Sequence, residues 1–123
     1  MPDRKTLERF IAEVVAGRHD KAIESFYTED ASMQENLDPP RKGRELLITR
    51  ERGVMASFKS IRTEWMPPAF LDGDYAVVRW VFVFEGHDGT KRRMEELAYQ
   101  RWEGDRIAEE RFYYDPKQLA ATV

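Results

Sequence analysis

Along the first fifteen residues Leu7, Phe10, Ile11, Val14 and Val15 recur at the spacing of one helical face, which predicts a helix over Thr6 to Val15 that Gly17 ends. Ala22, Ile23, Phe26 and Tyr27 repeat the pattern and predict a second helix, from an Asp20 cap through Tyr27. Asp30 also reads as a cap. Residues 31–36, ASMQEN, read as a short strand, and LDPPRKG after them as a loop, because two successive prolines suit neither a helix nor a ladder. A third helix is predicted from Arg44 to about Phe58, with Leu47, Val54, Met55 and Phe58 turned inward and Gly53 as its weak point.

After Ser60 the period changes from helical to alternating. IRTEWM, YAVVRWVFVFEG, KRRMEELAYQRW and RIAEERFYY are separated by the turn-rich PPAFLDGD, GHDGT and EGD, so the second half is an antiparallel meander and the fold class is α+β. Pro67 and Pro68 are expected to break the first of these strands from the next. If Phe84 lies opposite Arg92, then Phe82 meets Met94, Trp80 meets Glu96 and Val78 meets Ala98. If EGD turns tightly with Trp102 opposite Arg106, then Gln100 meets Ala108, Ala98 meets Glu110 and Glu96 meets Phe112. The even-numbered residues then share one face, where Glu96 and Glu110 sit among Trp80, Phe82, Phe84, Trp102, Phe112 and Tyr114.

Length and charge narrow the functions open to such a fold. A chain of 123 residues makes one domain, residues 1–123, with a real core. A net charge of -3 gives no basic field for a phosphate backbone, so no nucleic-acid partner is expected. The absence of cysteine excludes disulfides, thiol catalysis and thiolate-bound zinc, and the two histidines, His19 and His87, both read as exposed, so no metal and no other cofactor are expected. No stretch approaches the ~20 apolar residues of a membrane span and the N-terminus lacks the apolar run of a signal peptide, which predicts no membrane partner and a cytoplasmic protein.

Four residues are candidates for chemistry. Glu35 can act as a general base if apolar walls raise its pKa, or stand as a solvated carboxylate at a strand end. Glu96 and Glu110 can share a proton or hold a water, or can be tied up by Arg79, Arg106 or the indole of Trp80. Tyr114 can supply a hydroxyl or pack against Phe26. Trp65, Trp80, Phe82 and Phe112 form either a pocket wall for a small apolar or aromatic molecule or a collapsed core.

Three helices followed by a curved sheet, with the opening VAGRHDKAIESFYTEDASMQEN and the ending WEGDRIAEERFYYDP, resemble the nuclear transport factor 2-like superfamily and, within it, the SnoaL-like and ketosteroid isomerase-like proteins. The resemblance covers the whole chain and implies a cone-shaped, cystatin-like fold whose three N-terminal helices pack in a curved, mainly antiparallel sheet with a pocket on its concave face. It implies acid/base chemistry of an isomerase, cyclase, dehydratase or hydrolase without a cofactor; the alternative is a non-catalytic module for small-molecule binding or dimerisation. The position of the family's base falls on Glu35. Its two oxyanion donors fall on Phe10 and Ala98, which cannot donate, so these two are carried over as pocket contacts. The convex face, with Tyr99, Arg101, Glu109, Arg111 and Tyr113, is expected to form a homodimer in which Glu95 or Glu109 meets Arg101 or Arg111 of the other subunit.

Overall fold

The computed structural model describes residues 1–120. Helix α1 spans Arg4–Val15, and Asp3 caps it by accepting from the Thr6 amide at 2.7 Å. Its buried face holds Leu7, Phe10, Ile11 and Val14. Val15, expected on that face, points to solvent, since one residue further along a helix is a rotation of about 100°. Gly17 ends the helix at φ 85°. Helix α2, His19–Phe26, begins one residue before the predicted cap: Asp20 lies in its first turn and accepts from Arg52 at 3.2 Å. Asp30 is no cap either. It lies in β1, Tyr27–Glu35, and accepts from Thr28.

β1 begins four residues before the predicted strand, so Tyr27 leaves helical geometry and becomes a strand residue. The proline loop contains a two-residue strand, β2 (Arg41–Lys42), paired with Ser32 and Met33. Helix α3, Arg44–Ser57, buries only Leu47 and Ile48; Val54, predicted to face the core, is 40% exposed.

The rest is sheet: β3 (Ser60–Asp72), β4 (Tyr75–Glu85), β5 (Lys91–Glu103) and β6 (Arg106–Tyr113), followed by the short 3₁₀ helix η1, Pro116–Leu119. The six strands run in the order β2-β1-β6-β5-β4-β3, all neighbours antiparallel except β1 and β6, which are parallel. Pro67 and Pro68 do not break β3. The strand lies at the sheet edge and its register shifts between Met66 and Phe70, so the missing amides interrupt no continuous ladder.

The β4–β5 register is the predicted one, with Trp80 opposite Glu96 and Val78 opposite Ala98. The β5–β6 register is not: Ala98 faces Phe112 and Gln100 faces Glu110. The loop is one residue tighter than expected, with Glu103 opposite Arg106, and a bulge between Arg101 and Trp102 adds a second one-residue displacement. Two such steps restore the alternation beyond the bulge, so Glu110 and Phe112 still share the inner face with the even-numbered residues of β5, while before it Ile107, opposite Trp102, is the β6 residue turned inward. There Trp80, Trp102, Ala98, Gln100 and Glu110 are buried against Phe10 and Ile23 of the helices. Each fully buried large apolar side chain contributes roughly 1.5–3 kcal/mol to the fold.

Candidate functional site

Between the inner face of the sheet and the three helices lies a cavity of about 280 Å³. Alternation along β4 places Trp80, Phe82 and Phe84 on its wall two residues apart, a repeat of roughly 6.6 Å. Their ring centroids follow that repeat, 6.2 Å from Trp80 to Phe82 and 6.0 Å from Phe82 to Phe84. Phe10 from α1, Ile23 from α2 and Phe112 from β6 add to the apolar lining.

Glu110 reaches this wall from β6 and is 2% exposed. One carboxylate oxygen accepts from the hydroxyl of Tyr27, the other from the Gln100 amide at 2.7 Å. The Gln100 carbonyl oxygen accepts in turn from the Trp102 indole at 3.0 Å. This chain has a fixed direction. An indole N–H can only donate, so the Gln100 oxygen must face it and the Gln100 NH₂ must face Glu110. When Glu110 takes up a proton, that proton therefore belongs on the oxygen facing Tyr27. The phenol then accepts from Glu110, and its own proton is free to point into the cavity. Burial raises the Glu110 pKa, the bonds from Tyr27 and Gln100 pull it back, and the charge of Glu51 adds to the rise, leaving it at about 7. Burial and the neighbouring Glu110 push the Tyr27 phenol well above its ordinary value, so it remains protonated at neutral pH.

Glu96 lines the same cavity from β5. It is 7% exposed, and its carboxyl has no hydrogen bond or salt bridge among the described residues. Desolvation first, then the charges of Glu110, Glu35 and Glu51, push its pKa well above the carboxylate range. The arginines that could have neutralised it are engaged elsewhere: Arg79 donates to Glu95 and Arg106 to the Tyr27 carbonyl.

The remaining polar walls belong to residues closer to solvent. Glu35 and Arg41 approach at 3.7 Å, both side chains more than one-third exposed. Arg50 and Glu51 come from α3. His19, which the sequence pattern places at the surface, has its ring 5.7 Å from that of Phe82. Its nitrogens meet Glu51 at 3.2 Å and the buried Thr63 hydroxyl at 2.8 Å, so it ties α2 to α3 and β3. No group of three or more His, Asp or Glu side chains able to hold a metal occurs among the described residues.

Of the predicted site residues, the structure brings Glu35, Glu96, Glu110, Phe10, Trp80, Phe82 and Phe112 to this cavity. Trp65, Ala98 and Tyr114 are not part of its lining. Trp65 lies opposite Trp80 on the edge strand, one step beyond the wall, and its indole nitrogen is buried without a hydrogen-bond partner among the described residues. Ala98 is buried completely, too short to reach past its neighbours. Tyr114 follows the last strand residue, where its amide donates to Asn36 at 3.0 Å. Burial, then the charges of Glu35, Glu96 and Asp38, raises its phenol to about 12. Its place as hydroxyl of the site is taken by Tyr27, which sequence reasoning assigned to a helix. The Tyr27–Glu110 contact spans 83 positions, and no local pattern reports it.

The outer face differs from expectation in its charges. Arg101 meets Glu109 at 2.8 Å and Glu103 at 3.2 Å, Arg79 and Arg93 both reach Glu95, and Arg111 lies over the Tyr113 ring at 4.8 Å. These charges are satisfied within one chain, and the expected need for a partner's arginines is not there. Tyr75, Leu97, Tyr99 and Tyr113 remain each about 45% exposed.

The same fold occurs in solved structures. A protein with a ketosteroid isomerase-like fold from Catenulispora acidiphila, in complex with trimethylamine, superposes with a TM-score of 0.76 at 16% identity, covering 91% of this chain and 86% of its own. A protein from Mesorhizobium loti, provisionally named a SnoaL-like polyketide cyclase, gives 0.75 at 21% identity, covering 89% and 97%. An NTF2-like protein of unknown function from Burkholderia pseudomallei gives 0.79 at 14% identity, covering 94% and 92%. At these identities the likeness concerns the fold alone. No curated protein matches the sequence. The model of the SnoaL-like domain matches residues 7–110, most of the chain and every element from α1 into β6, and the chain therefore belongs to the SnoaL-like domain family.

Proposed function

We propose that the cavity binds a small, largely apolar molecule and moves a proton on it without a cofactor, as an isomerase, cyclase, dehydratase or hydrolase does. The observation that carries this reading is the Tyr27–Glu110 pair, held in one orientation by Gln100 and Trp102 on an aromatic wall. A group that titrates near 7 is matched to proton transfer at neutral pH. The phenol accepts a proton from the ligand as its own passes to Glu110, and the reverse transfer returns it. Low dielectric around the rings strengthens these interactions relative to water.

The test is a metabolite screen by thermal shift, followed by turnover assays on the ligands found. Tyr27→Phe should still bind but lose roughly 10²–10⁴-fold in turnover, the usual weight of a general acid–base group. Unchanged turnover in that variant would end the catalytic reading. Binding without any turnover in the wild type would support the non-catalytic alternative. Phe10 and Ala98, buried and apolar at the positions where relatives of the ketosteroid isomerase type place their oxyanion donors, favour that alternative. We also propose a homodimer through the outer sheet face, resting now on the exposed Tyr99 and Tyr113 rather than on unpaired charge.

A further inference from the structure

Glu96 is the least explained side chain of the cavity. Its carboxyl meets no cation and no donor among the described residues, and because its oxygens are not among the fully buried polar atoms, the surface it keeps opens onto the cavity it lines. Its cross-strand neighbour on the same face is Trp80, whose side chain stands roughly 5 Å away by strand geometry. Phe82 and Phe84 continue the wall beyond it. Ring faces carry the negative end of the aromatic quadrupole, which repels an anion and attracts a cation. The acidic groups around the cavity, Glu110 from β6, Glu35 from β1 and Glu51 from α3, add to the same potential. The positive groups, Arg41 and Arg50, stand at its more exposed side, with His19 already bonded to Glu51 and Thr63.

We propose that the molecule bound here is a small organic cation, with its charged nitrogen against Glu96 and its alkyl groups against Trp80, Phe82 and Phe84. This deepens the reading of the cavity as a ligand site and divides the labour among its acids. Glu96 anchors charge, and Glu110 with Tyr27 handles the proton. A cation beside Glu96 offsets the desolvation and like charge that now favour its neutral form, so binding shifts it towards its charged form. An organic ion fits where a metal does not, because Glu96 stands alone rather than in a cluster of ligands. A cavity of about 280 Å³ suits a compact ammonium group on a short apolar body.

Three probes of nearly one shape isolate the charge: choline, its neutral carbon counterpart 3,3-dimethylbutan-1-ol, and the anion 3,3-dimethylbutanoate. Titrated into the full chain by calorimetry or NMR, choline should bind roughly ten-fold or more tightly than the alcohol, with the carboxylate weakest. Glu96→Gln should abolish that preference while melting no lower than the wild type, and Glu96→Asp, which keeps the charge, should retain the preference in weaker form. An alcohol bound as tightly as choline, or a preferred carboxylate, overturns the cation assignment and leaves the ligand site standing. Choline preference that survives Glu96→Gln overturns the anchor. Failure of all three probes to bind overturns the assignment and counts against the ligand reading as well.

Discussion

Glu95 and Glu96 are neighbours in the chain, and so are Glu109 and Glu110, yet each pair is divided between the two faces of the sheet. On the outer face Glu95 meets Arg93 and Arg79, and Glu109 meets Arg101. The hydrogen bond from Arg93 is the largest cause holding the Glu95 carboxyl below its usual range. On the inner face no arginine among the described residues reaches Glu96 or Glu110, and burial drives both pKa values upward. Identical residues one position apart thus become solvated salt-bridge partners or groups whose neutral form burial favours. Alternation of the strand makes the division, since a step of one residue exchanges water and guanidinium for rings.

The largest effect expected from this contrast is on stability. Glu110→Ala removes the acceptor for both Tyr27 and Gln100, leaves two buried donors unpaired, and should destabilise by roughly 3 kcal/mol in chemical denaturation. A loss below about 1 kcal/mol would mean that the inner network is no more than packing.

The pH dependence should show the two faces pulling in opposite directions. Glu110 binds its proton more tightly in the folded chain, with a pKa of about 7 against 4.5. Its stabilising contribution is therefore complete below about pH 4.5 and lost as pH rises through 7, a fall of at most roughly 3 kcal/mol. Glu96 has the same sign. Glu95, Glu13 and Asp88, whose pKa values are lowered, stabilise above their unfolded values and lose that contribution as pH falls through the folded ones. The melting temperature should then peak near pH 4.5–5 and decline towards neutrality, and Glu110→Gln should flatten the decline. A melting temperature that climbs from pH 5 to 7.5 would contradict this division.

Glu96→Met should act with the opposite sign to Glu110→Ala. A largely buried carboxyl without a hydrogen bond or ion pair among the described residues is a liability to the fold, and an apolar side chain of similar length should raise stability at pH 7.5 by about 1 kcal/mol. Destabilisation instead would reveal a donor that reaches Glu96 in solution.

These contrasts were partly legible in the sequence. Alternation in β4, β5 and β6 placed Glu96 and Glu110 inward with the rings because face membership needs only period two. The sequence places Ala98 rather than Gln100 opposite Glu110 because a tighter turn and a bulge each displace the register by one residue, and neither shows in the hydrophobic pattern. Tyr27, His19 and Glu51 gave no signal. Their polar atoms meet groups 83, 44 and 32 residues away, and an aromatic or polar side chain at the start of an element reads as surface or stripe until its distant partner is known. The charges of the outer face were read as needing a second subunit because cross-strand pairs such as Arg101 with Glu109 depend on the same displaced register.

The smallest effect belongs to the outer face and also decides what covers it. In a lone chain Glu109 is 62% exposed by side chain, so its bond to Arg101 is screened, and Glu109→Ala should shift stability by no more than about 0.5 kcal/mol. A two-fold partner seated on Tyr99 and Tyr113 would exclude that water, bury roughly 800 Å² per subunit, and make the same substitution more costly at high protein concentration than at low. Sedimentation velocity at micromolar concentration should accordingly show a species of twice the 14.5 kDa chain mass. Tyr113→Glu, which sets a carboxylate among the exposed rings, should return the protein to the mass of one chain with its melting at high dilution unchanged. A wild type that sediments as a single chain would leave the outer face as a solvated surface, and its salt bridges as ordinary ones.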